Sequence, residues 1–438
     1  MVLIDQIRAA GVVGAGGGGF PAHVKLASRA DTIIANGAEC EPLLHKDAAV
    51  LEHRADEVVQ GILLCAEAIG AGEIVIAIKA KKEKAVAAAR AACAGTRARV
   101  HLLDDYYPAG DEYDLVYNIT GRLIPPAGLP VHVRAVVQNV ETLANIAAAA
   151  AGRSVTRKCI TIAGAVAHPA TFEVPLGISL RACIEAAGGA TVPDPVLAVG
   201  GMMMGEIVTD PDRPVTKTTA GAIVLPARHP VIGRIQKPPR EQAAIGKSAC
   251  DQCRYCTEFC PRYLLGYAVE PHQVMRALGF TATGTAHFSE WAALCCSCGL
   301  CTLYACPEML YPKEACDDSK ALLRKLDWKW NGLREVTVHP MHDGRRVPIK
   351  SLLSRLSIED YDHPAPLAAN PLTTRRALLP LKQHAGPPAL ASVKAGQQVA
   401  AGEVVAAPAP DALGALLHAP FAARVESVGT TEIALSAL

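Results

Sequence analysis

Two cysteine runs carry the clearest chemistry in the chain. The first is Cys250-x2-Cys253-x2-Cys256-x3-Cys260-Pro261, and the second is Cys295-x2-Cys298-x2-Cys301-x4-Cys306-Pro307. Three thiolates spaced three residues apart on a tight turn can converge on one iron–sulfur cube, and the proline ends the turn so that a fourth cysteine leaves. Two runs predict two 4Fe–4S clusters. Where such runs occur in pairs, the fourth cysteine of each crosses to the other cluster. Cys250, Cys253, Cys256 and Cys306 are therefore assigned to one cluster, and Cys295, Cys298, Cys301 and Cys260 to the other. Zinc is the rival metal, but zinc sites use two cysteine pairs separated by a long spacer. Cys296, which would break the spacing, is read as a bystander, and Cys316 as unliganded. The x4 gap before Cys306 departs from the commoner x3 and is expected to loosen that ligand.

A second candidate site is Gly14-Ala15-Gly16-Gly17-Gly18-Gly19-Phe20-Pro21, with Lys25 close behind. Glycines let a backbone approach a phosphate or flavin ring, and successive N–H groups can cradle an anion. The stretch contains G-x-G-x-x-G, but no convincing strand precedes it and Pro21 interrupts the segment after it, so a flexible turn is the competing reading.

The surrounding elements must position these groups. From Thr32 the chain alternates in βα fashion. A β-branched run covers 32–35, and a helix that Asp47 could cap carries Leu51, Ala55, Val58, Ile62, Cys65 and Ile69 on one face. Gly70 and Gly72 stop it, 74–78 reads as a buried strand, an Ala/Lys-rich helix runs to about Cys93, and 99–103 is a further strand. Such alternation predicts a Rossmann-like, largely parallel sheet with ligands at the carboxyl ends of its strands. Residues 156–190 read as strand, turn, strand, then a helix from about Ser179. The run Met202-Met203-Met204 between glycines is core packing or an adaptable contact surface. Helices at 271–278 and 289–294 are expected between the cysteine runs, with two more at 320–326 and 349–356. From about Gln383, short strands broken by Gly and Pro predict a small β-sandwich.

The chain has 438 residues, enough for roughly three domains, and half its composition is hydrophobic. A net charge of +1 gives no electrostatic case for nucleic acid or an anionic membrane surface. No signal peptide is recognisable at the N-terminus. The apolar stretches 61–80 and 136–152 are interrupted by Glu67, Glu73, Glu141 and Asn145 and read as core elements rather than membrane spans. Of the fifteen cysteines, eight belong to the runs and the remaining seven are scattered, which fits a reducing, cytoplasmic compartment. Cys65, Cys93, Cys159 and Cys183 read as structural.

Three further segments make a resemblance specific: Asn36-Gly37-Ala38-Glu39-Cys40-Glu41-Pro42, Tyr107-Pro108-Ala109-Gly110-Asp111-Glu112 and Asn139-Val140-Glu141-Thr142-Leu143-Ala144-Asn145. In this order, with the glycine loop and both cysteine runs, the sequence resembles the FMN-carrying subunit of respiratory complex I and the C subunit of Rnf-type complexes. Over essentially its whole length it resembles the cobalamin reductases of propanediol-utilisation microcompartments. The resemblance implies a multidomain α/β protein: a Rossmann-like FMN/NADH domain at 1–152 and a β-grasp module at 153–237. A helical two-cluster ferredoxin domain at 238–320, a connector at 321–380 and a barrel-sandwich, lipoyl-like module at 381–438 complete it. The modified lysine of lipoyl domains is missing from that module, so scaffolding is its expected role.

The resemblance also implies FMN held by Gly14, Gly16, Gly17 and Gly19, with Lys25 near its phosphate or ring and Asn36, Glu39, Asn139 and Thr142 as polar partners. Phe20, Glu41, Tyr107 and Glu112 match positions that receive NADH, Gly110 and Asp111 shape the same turn, and Glu41 and Glu112 are the candidate catalytic carboxylates. The bland alternative for Glu39, Glu41 and Glu112 is solvated loop carboxylates. Ala38, Ser28 and Gln138 depart from the complex I pattern at an acidic, an aromatic and an asparagine position, which weakens NADH more than FMN. The implied reaction passes electrons from NADH through FMN and two clusters to the cobalt of cobalamin, within or on a microcompartment, with a shell protein and an adenosyltransferase as partners. The alternatives are an Rnf-like electron-input subunit serving a ferredoxin or membrane partner, and a non-catalytic iron–sulfur conduit docked to a shell protein.

Overall fold

A computed structural model describes residues 2–279, 289–332 and 335–438. The N-terminal third is built on α1 (Leu3–Ala9), α2 (Ala22–Lys25), β1 (Thr32–Gly37), α3 (Lys46–Ile69), β2 (Glu73–Lys79), α4 (Glu83–Cys93), β3 (Ala98–Leu103), β4 (Tyr106–Tyr107), α5 (Glu112–Thr120), β5 (Ala135–Asn139) and α6 (Val140–Ala150). Four strands form one parallel sheet in the order β3-β2-β1-β5. After Glu73 every residue of β2 is buried, as expected of a parallel strand covered on both faces.

Helix α3 starts one residue before the expected cap. His45 holds the cap position, and Asp47 sits inside the first turn, where Lys46 and Asn139 engage its carboxylate. Its end is as expected, with Gly70 left-handed at φ +78°. Gly61 lets α3 and α6 pack closely, because a Cβ there would lie 2.0 Å from the Leu143 carbonyl oxygen.

The middle region is a five-stranded sheet in the order Ala170–Pro175, Arg157–Gly164, Gly221–Pro226, Pro195–Val199, Glu206–Val208. Its helix, Leu180–Ala186, is capped by the Ser179 hydroxyl, which accepts the Ala182 N–H.

The cysteine-bearing region is made of short helices, Pro239–Ala249, Tyr255–Glu258, Pro261–Leu264, Pro271–Ala277 and Pro312–Lys325. Four of the five begin on proline, whose fixed φ suits a first helical turn and whose missing N–H costs nothing there. The helix expected at 289–294 is only a 3₁₀ turn, Glu290–Ala292, and the one expected at 320–326 is the end of Pro312–Lys325. The chain between Cys301 and Cys306 forms a π-helical turn, Cys301–Ala305. The x4 gap is absorbed there as the one extra residue of a π-turn, a geometry common at functional sites.

Strand Val347–Pro348 pairs antiparallel with β4, so the connector is stitched to the N-terminal domain just before helix Ile349–Leu356. Strand Arg376–Pro380 pairs with Glu432–Ala437, so the C-terminal sandwich takes in residues before 381, and helix Pro312–Lys325 crosses residue 320. The sandwich stacks a four-stranded on a three-stranded sheet. One apolar core runs from Ile33, Ile62 and Ile76 through to Leu379, Val425 and Ile433, which fixes the sandwich to the back of the parallel sheet. A second core joins Tyr107, Met202 and Met203 to Cys298, Leu303 and Leu352. This second core holds the thiol-rich region against Tyr107 and the five-stranded sheet, at Ala198 and Ile223.

Candidate functional site

The glycine loop lies at the carboxyl edge of the parallel sheet and is anchored at its base. Gly14 donates to the Phe20 carbonyl (2.9 Å) and Gly19 to that of Gly14 (3.2 Å). The Ala15 N–H donates to Thr142 Oγ1 (2.9 Å), and Lys158 Nζ donates to the Ala15 carbonyl (3.0 Å). At the crest, the N–H groups of Gly16, Gly17 and Gly18 have no hydrogen-bond partner among the described residues. Gly17 has φ +113° with nothing within 4 Å of a would-be Cβ, and the space beside Gly18 is equally open. Free, clustered amides beside open space form an anion cradle.

This loop walls a cavity of about 380 Å³. Its lining includes Gly14, Gly16, Gly19, Phe20, Lys25, Asn36, Glu39, Glu41, Tyr107, Gly110, Asp111, Glu112 and Asn139. Gly17 and Thr142 do not line it, and Thr142 instead serves the loop's base. Residues from four separate segments are thus brought to one place. The cavity also takes in Cys40, Asp47, Val137, Gln138, Met204, Cys296 and Cys298, to which sequence reasoning gave no cofactor role in this cavity. Met204 had a signal in the glycine-flanked methionine run. Cys40, whose thiol accepts the Gly110 N–H at 2.8 Å, had none.

Glu39 and Glu41 are held by backbone N–H groups, while Glu112, its side chain 41% exposed, is paired with Lys25. Lys25 Nζ donates to Glu112 Oε1 and to the Val137 carbonyl, both at 2.7 Å. Glu39 accepts the N–H groups of Asp47 (2.8 Å) and Ala48 (3.3 Å) at the start of α3. Burial, reinforced by the Asp47 charge, pushes its carboxyl up to about 7. Glu41 accepts the N–H groups of Met203 (2.9 Å) and Met204 (2.8 Å), and burial pushes it up to about 7 against those bonds. Gly201 is required by this clamp, since at φ +123° its Cβ would lie 2.3 Å from the Glu41 carboxyl. Below the cavity, Asn139 caps α6 and donates to Asp47 (2.9 Å), and Lys46 bridges Asp47 and Glu141. Burial acts to raise Glu141, but Lys158 and Lys46 outweigh it and hold its carboxyl below the ordinary value.

The thiols fall into two sets. Cys250, Cys253, Cys256 and Cys306 wall one small void, so the first three cysteines of the first run meet the last of the second. Cys260 and Cys301 lie within electrostatic reach of each other and of both Cys295 and Cys298, and Cys301 is also within reach of Cys256. The backbone is left-handed at Gln252, Arg254 and Ser297, the residues that flank Cys253 and follow Cys296. N–H groups are aimed at the sulfurs, from Leu310 to Cys306 and from Ser297 to Cys295, each at 3.3 Å. Among the described residues no three His, Cys, Asp or Glu groups gather on a single ion. Thiols spread around a void suit a cube in which each iron takes one cysteine. Cys316 packs against Cys295, and Cys296 against Cys298 and Arg262.

Two contacts tie the thiols to the cavity. The Tyr107 hydroxyl donates to the Cys298 carbonyl (2.7 Å). Arg262, next but one after Cys260, donates from Nη2 to Asp111 (2.8 Å) and stacks 3.5 Å over the Tyr113 ring. Its Nε and Nη1 are buried without partners, as is Gln138 Nε2. Orphaned donors at both places, with the free amides of the glycine loop, fit a flavin phosphate and ring in the cavity and an acceptor-rich cluster beside Arg262.

The sequence matches four families. The Nuo51 FMN-binding domain covers residues 7–148, the SLBB domain 159–206, a 4Fe–4S dicluster domain 249–311 and the RnfC barrel-sandwich hybrid domain 363–437. The fold and the two sites therefore define a multidomain flavin and iron–sulfur electron-transfer oxidoreductase. Among relatives, the chain is 41% identical over 429 residues to cobalamin reductase PduS of Citrobacter freundii, covering 97% of this chain and 94% of that protein. The PduS of Salmonella typhimurium is likewise 41% identical, over 430 residues (98% and 95%). The C subunit of the proton-translocating ferredoxin:NAD(+) oxidoreductase complex of Clostridium ljungdahlii is 34% identical over 268 residues, covering 60% of this chain and 56% of that protein. The chain belongs to the PduS cobalamin reductase family. No helix among the described residues is long and apolar enough to cross a membrane.

Proposed function

We propose that the chain uses NADH to reduce cob(III)alamin to cob(II)alamin and cob(I)alamin, through FMN and two 4Fe–4S clusters. The observation that carries this reading is the shared wall: Cys296 and Cys298 line the same cavity as the glycine loop. A flavin site and a thiol set that adjoin in this way form a donor and the first step of a wire. Bound FMN would turn one hydride into two single electrons, and clusters would carry them one at a time. The balance is NADH giving NAD⁺, one proton and two electrons, which reduce two cobalt(III) centres to cobalt(II) or one to cobalt(I).

The chain's own residues bind and orient. Gly16, Gly17 and Gly18 would offer N–H groups to an FMN phosphate, Gln138 and Asn36 line the cavity that would take its ring, and Lys25 is positioned by Glu112 and the Val137 carbonyl. Phe20 is 40% exposed at the mouth, where an incoming nicotinamide would stack, with Tyr107, Gly110 and Asp111 as the floor. Glu41 and Glu112 flank that entry. Cys250, Cys253, Cys256 and Cys306 would hold the outer cluster, and Cys260, Cys295, Cys298 and Cys301 the one beside the flavin. We read the parallel sheet as Rossmann-like and the five-stranded sheet as a β-grasp, with domains near 1–152 and 153–237, a cluster domain from 238 to the end of helix Pro312–Lys325, and a C-terminal module that takes in strand Arg376–Pro380. The near full-length relationship to the cobalamin reductases also supports a place within or on a microcompartment, beside a shell protein and an adenosyltransferase.

Anaerobic stopped-flow mixing of the FMN- and cluster-loaded protein with NADH tests the donor. Flavin bleaching within one turnover, followed by cluster reduction and conversion of cob(III)alamin, is expected. A flavin left oxidised by NADH refutes NADH as the direct donor, and reduced clusters that leave cob(III)alamin untouched refute the acceptor.

A further inference from the structure

The order of the sites leaves a defined exit. The flavin cavity touches the thiols of the second run at Cys296 and Cys298. The set walled by Cys250, Cys253, Cys256 and Cys306 lies beyond, with Cys256 within electrostatic reach of Cys301 of the inner set. Beside the chain segments that carry Cys256 and Cys306 lies a broad, shallow bowl of about 960 Å³, open to solvent across its face.

We propose that this bowl, formed by Tyr255, Phe259, Tyr304, Met309, Ser354 and Arg355, is where the corrinoid docks to receive its electron. The proposal rests on the cobalamin-reducing function inferred above and assigns its acceptor site. Tyr255 and Phe259 bracket Cys256 in the chain, and Tyr304 precedes Cys306 by two residues. Arg355 donates from Nη2 to the Cys306 carbonyl (2.8 Å) and from Nε to that of Tyr304 (3.2 Å), so the rim of the bowl is bonded to a ligand segment. No other element stands between this rim and the backbone of Cys306 at that contact.

The lining matches a corrinoid. The macrocycle is broad and apolar on its faces, and Tyr255 and Met309 offer 44% and 50% of their surface to solvent here. Phe259 and Tyr304 are locked edge to face with ring centroids 5.6 Å apart, a rigid floor that costs little entropy on binding. A corrinoid's edge carries amides, and Ser354 stands at the rim with hydroxyl neighbours Ser351 and Ser357. The nucleotide loop of a complete corrinoid carries one phosphodiester, for which the exposed Arg355 is charge-complementary. An acceptor bound here also leaves the flavin mouth free for the donor, so both substrates can be present at once.

Equilibrium dialysis of hydroxocobalamin and of cobinamide, which lacks the phosphodiester, against the FMN- and cluster-loaded protein tests the assignment. Ser354→Trp projects an indole from the rim into the bowl, and Met309→Glu places an acidic group in its lining. Each is expected to raise the Kd for hydroxocobalamin at least tenfold, while iron, sulfide and flavin contents stay those of the wild type. Cobinamide should bind the wild type more weakly than hydroxocobalamin. Wild-type affinity in both variants, with cofactors intact, overturns the bowl as the site. So does wild-type protein that reduces hydroxocobalamin without binding it. A wild-type protein that neither binds nor reduces any corrinoid instead removes the functional reading itself, and the two failures are thereby separated.

Discussion

Arg262→Met is the sharpest test of how the thiol region is held to the flavin domain. Arg262 is 8% exposed, and its partner Asp111 caps α5 while lining the flavin cavity. At 2.8 Å the pair attracts by about 6 kcal/mol gross in an effective dielectric near 20. Desolvation of both ions offsets much of this, so the informative quantity is the cost of removing one partner. That cost is about 3–5 kcal/mol, because the remaining charge stays buried and unpaired. Burial already raises the Asp111 carboxyl, opposed chiefly by Arg262, so loss of the arginine should raise it further. A global melting temperature is a poor measure in a multidomain chain. The assay is amide hydrogen exchange in helix Pro261–Leu264 and in α5. At about 1.4 kcal/mol per tenfold, exchange limited by separation of the two elements should accelerate roughly a hundredfold to a few thousandfold. The double variant Arg262→Met/Asp111→Asn removes the orphaned charge and should recover about half of the loss. Unchanged exchange in the single variant, or no recovery in the double, refutes the reasoning.

Gly17→Val places a β-branched side chain at φ +113° in the flavin cradle; FMN retention should be lost, read by absorbance near the flavin maximum after desalting, while iron content stays unchanged. Cys260→Ser should damage the cluster built on the second run, because Cys260 lies with Cys295, Cys298 and Cys301; electron paramagnetic resonance of the reduced protein that lacks only the first-run signal would contradict this. Lys217 is buried and, among the described residues, its Nζ donates to the carbonyls of Gly11 (2.6 Å) and Leu416 (2.7 Å); burial lowers it to about 7. Between about 7 and its ordinary 10.5 the unfolded chain binds more protons than the folded one, so stability should rise with pH across that window by at most about 1.4 kcal/mol per pH unit. Lys217→Met should flatten that slope in urea titrations, and an identical slope in the variant would refute the assignment.

Much of this protein is fixed by local sequence. The cysteine spacing, the prolines that open four helices, the Gly70 stop and the buried run of β2 each act over a few residues, so their signals survive without tertiary context. Of the cavity's four segments, the glycine loop is legible from its own backbone chemistry, whereas the other three carry a cofactor role only through family resemblance. Tertiary structure alone decided what those segments face. Asp47 reads as a helix cap from its neighbours, yet the approach of Asn139, ninety-two residues away, turns its carboxylate toward the cavity. The extra residue before Cys306 reads as a defect until the backbone takes it up as a π-turn. Arg262 and Cys296 look incidental beside their ligand neighbours, because their roles depend on Asp111 and the glycine loop, which no spacing within either run encodes. The same holds for Glu41, whose burial and clamp come from the backbone of Met203 and Met204 in another domain. Spacing along the chain determines which groups can bind a cofactor, whereas burial and charge pairing, which set what those groups do, depend on segments that meet only when the domains pack.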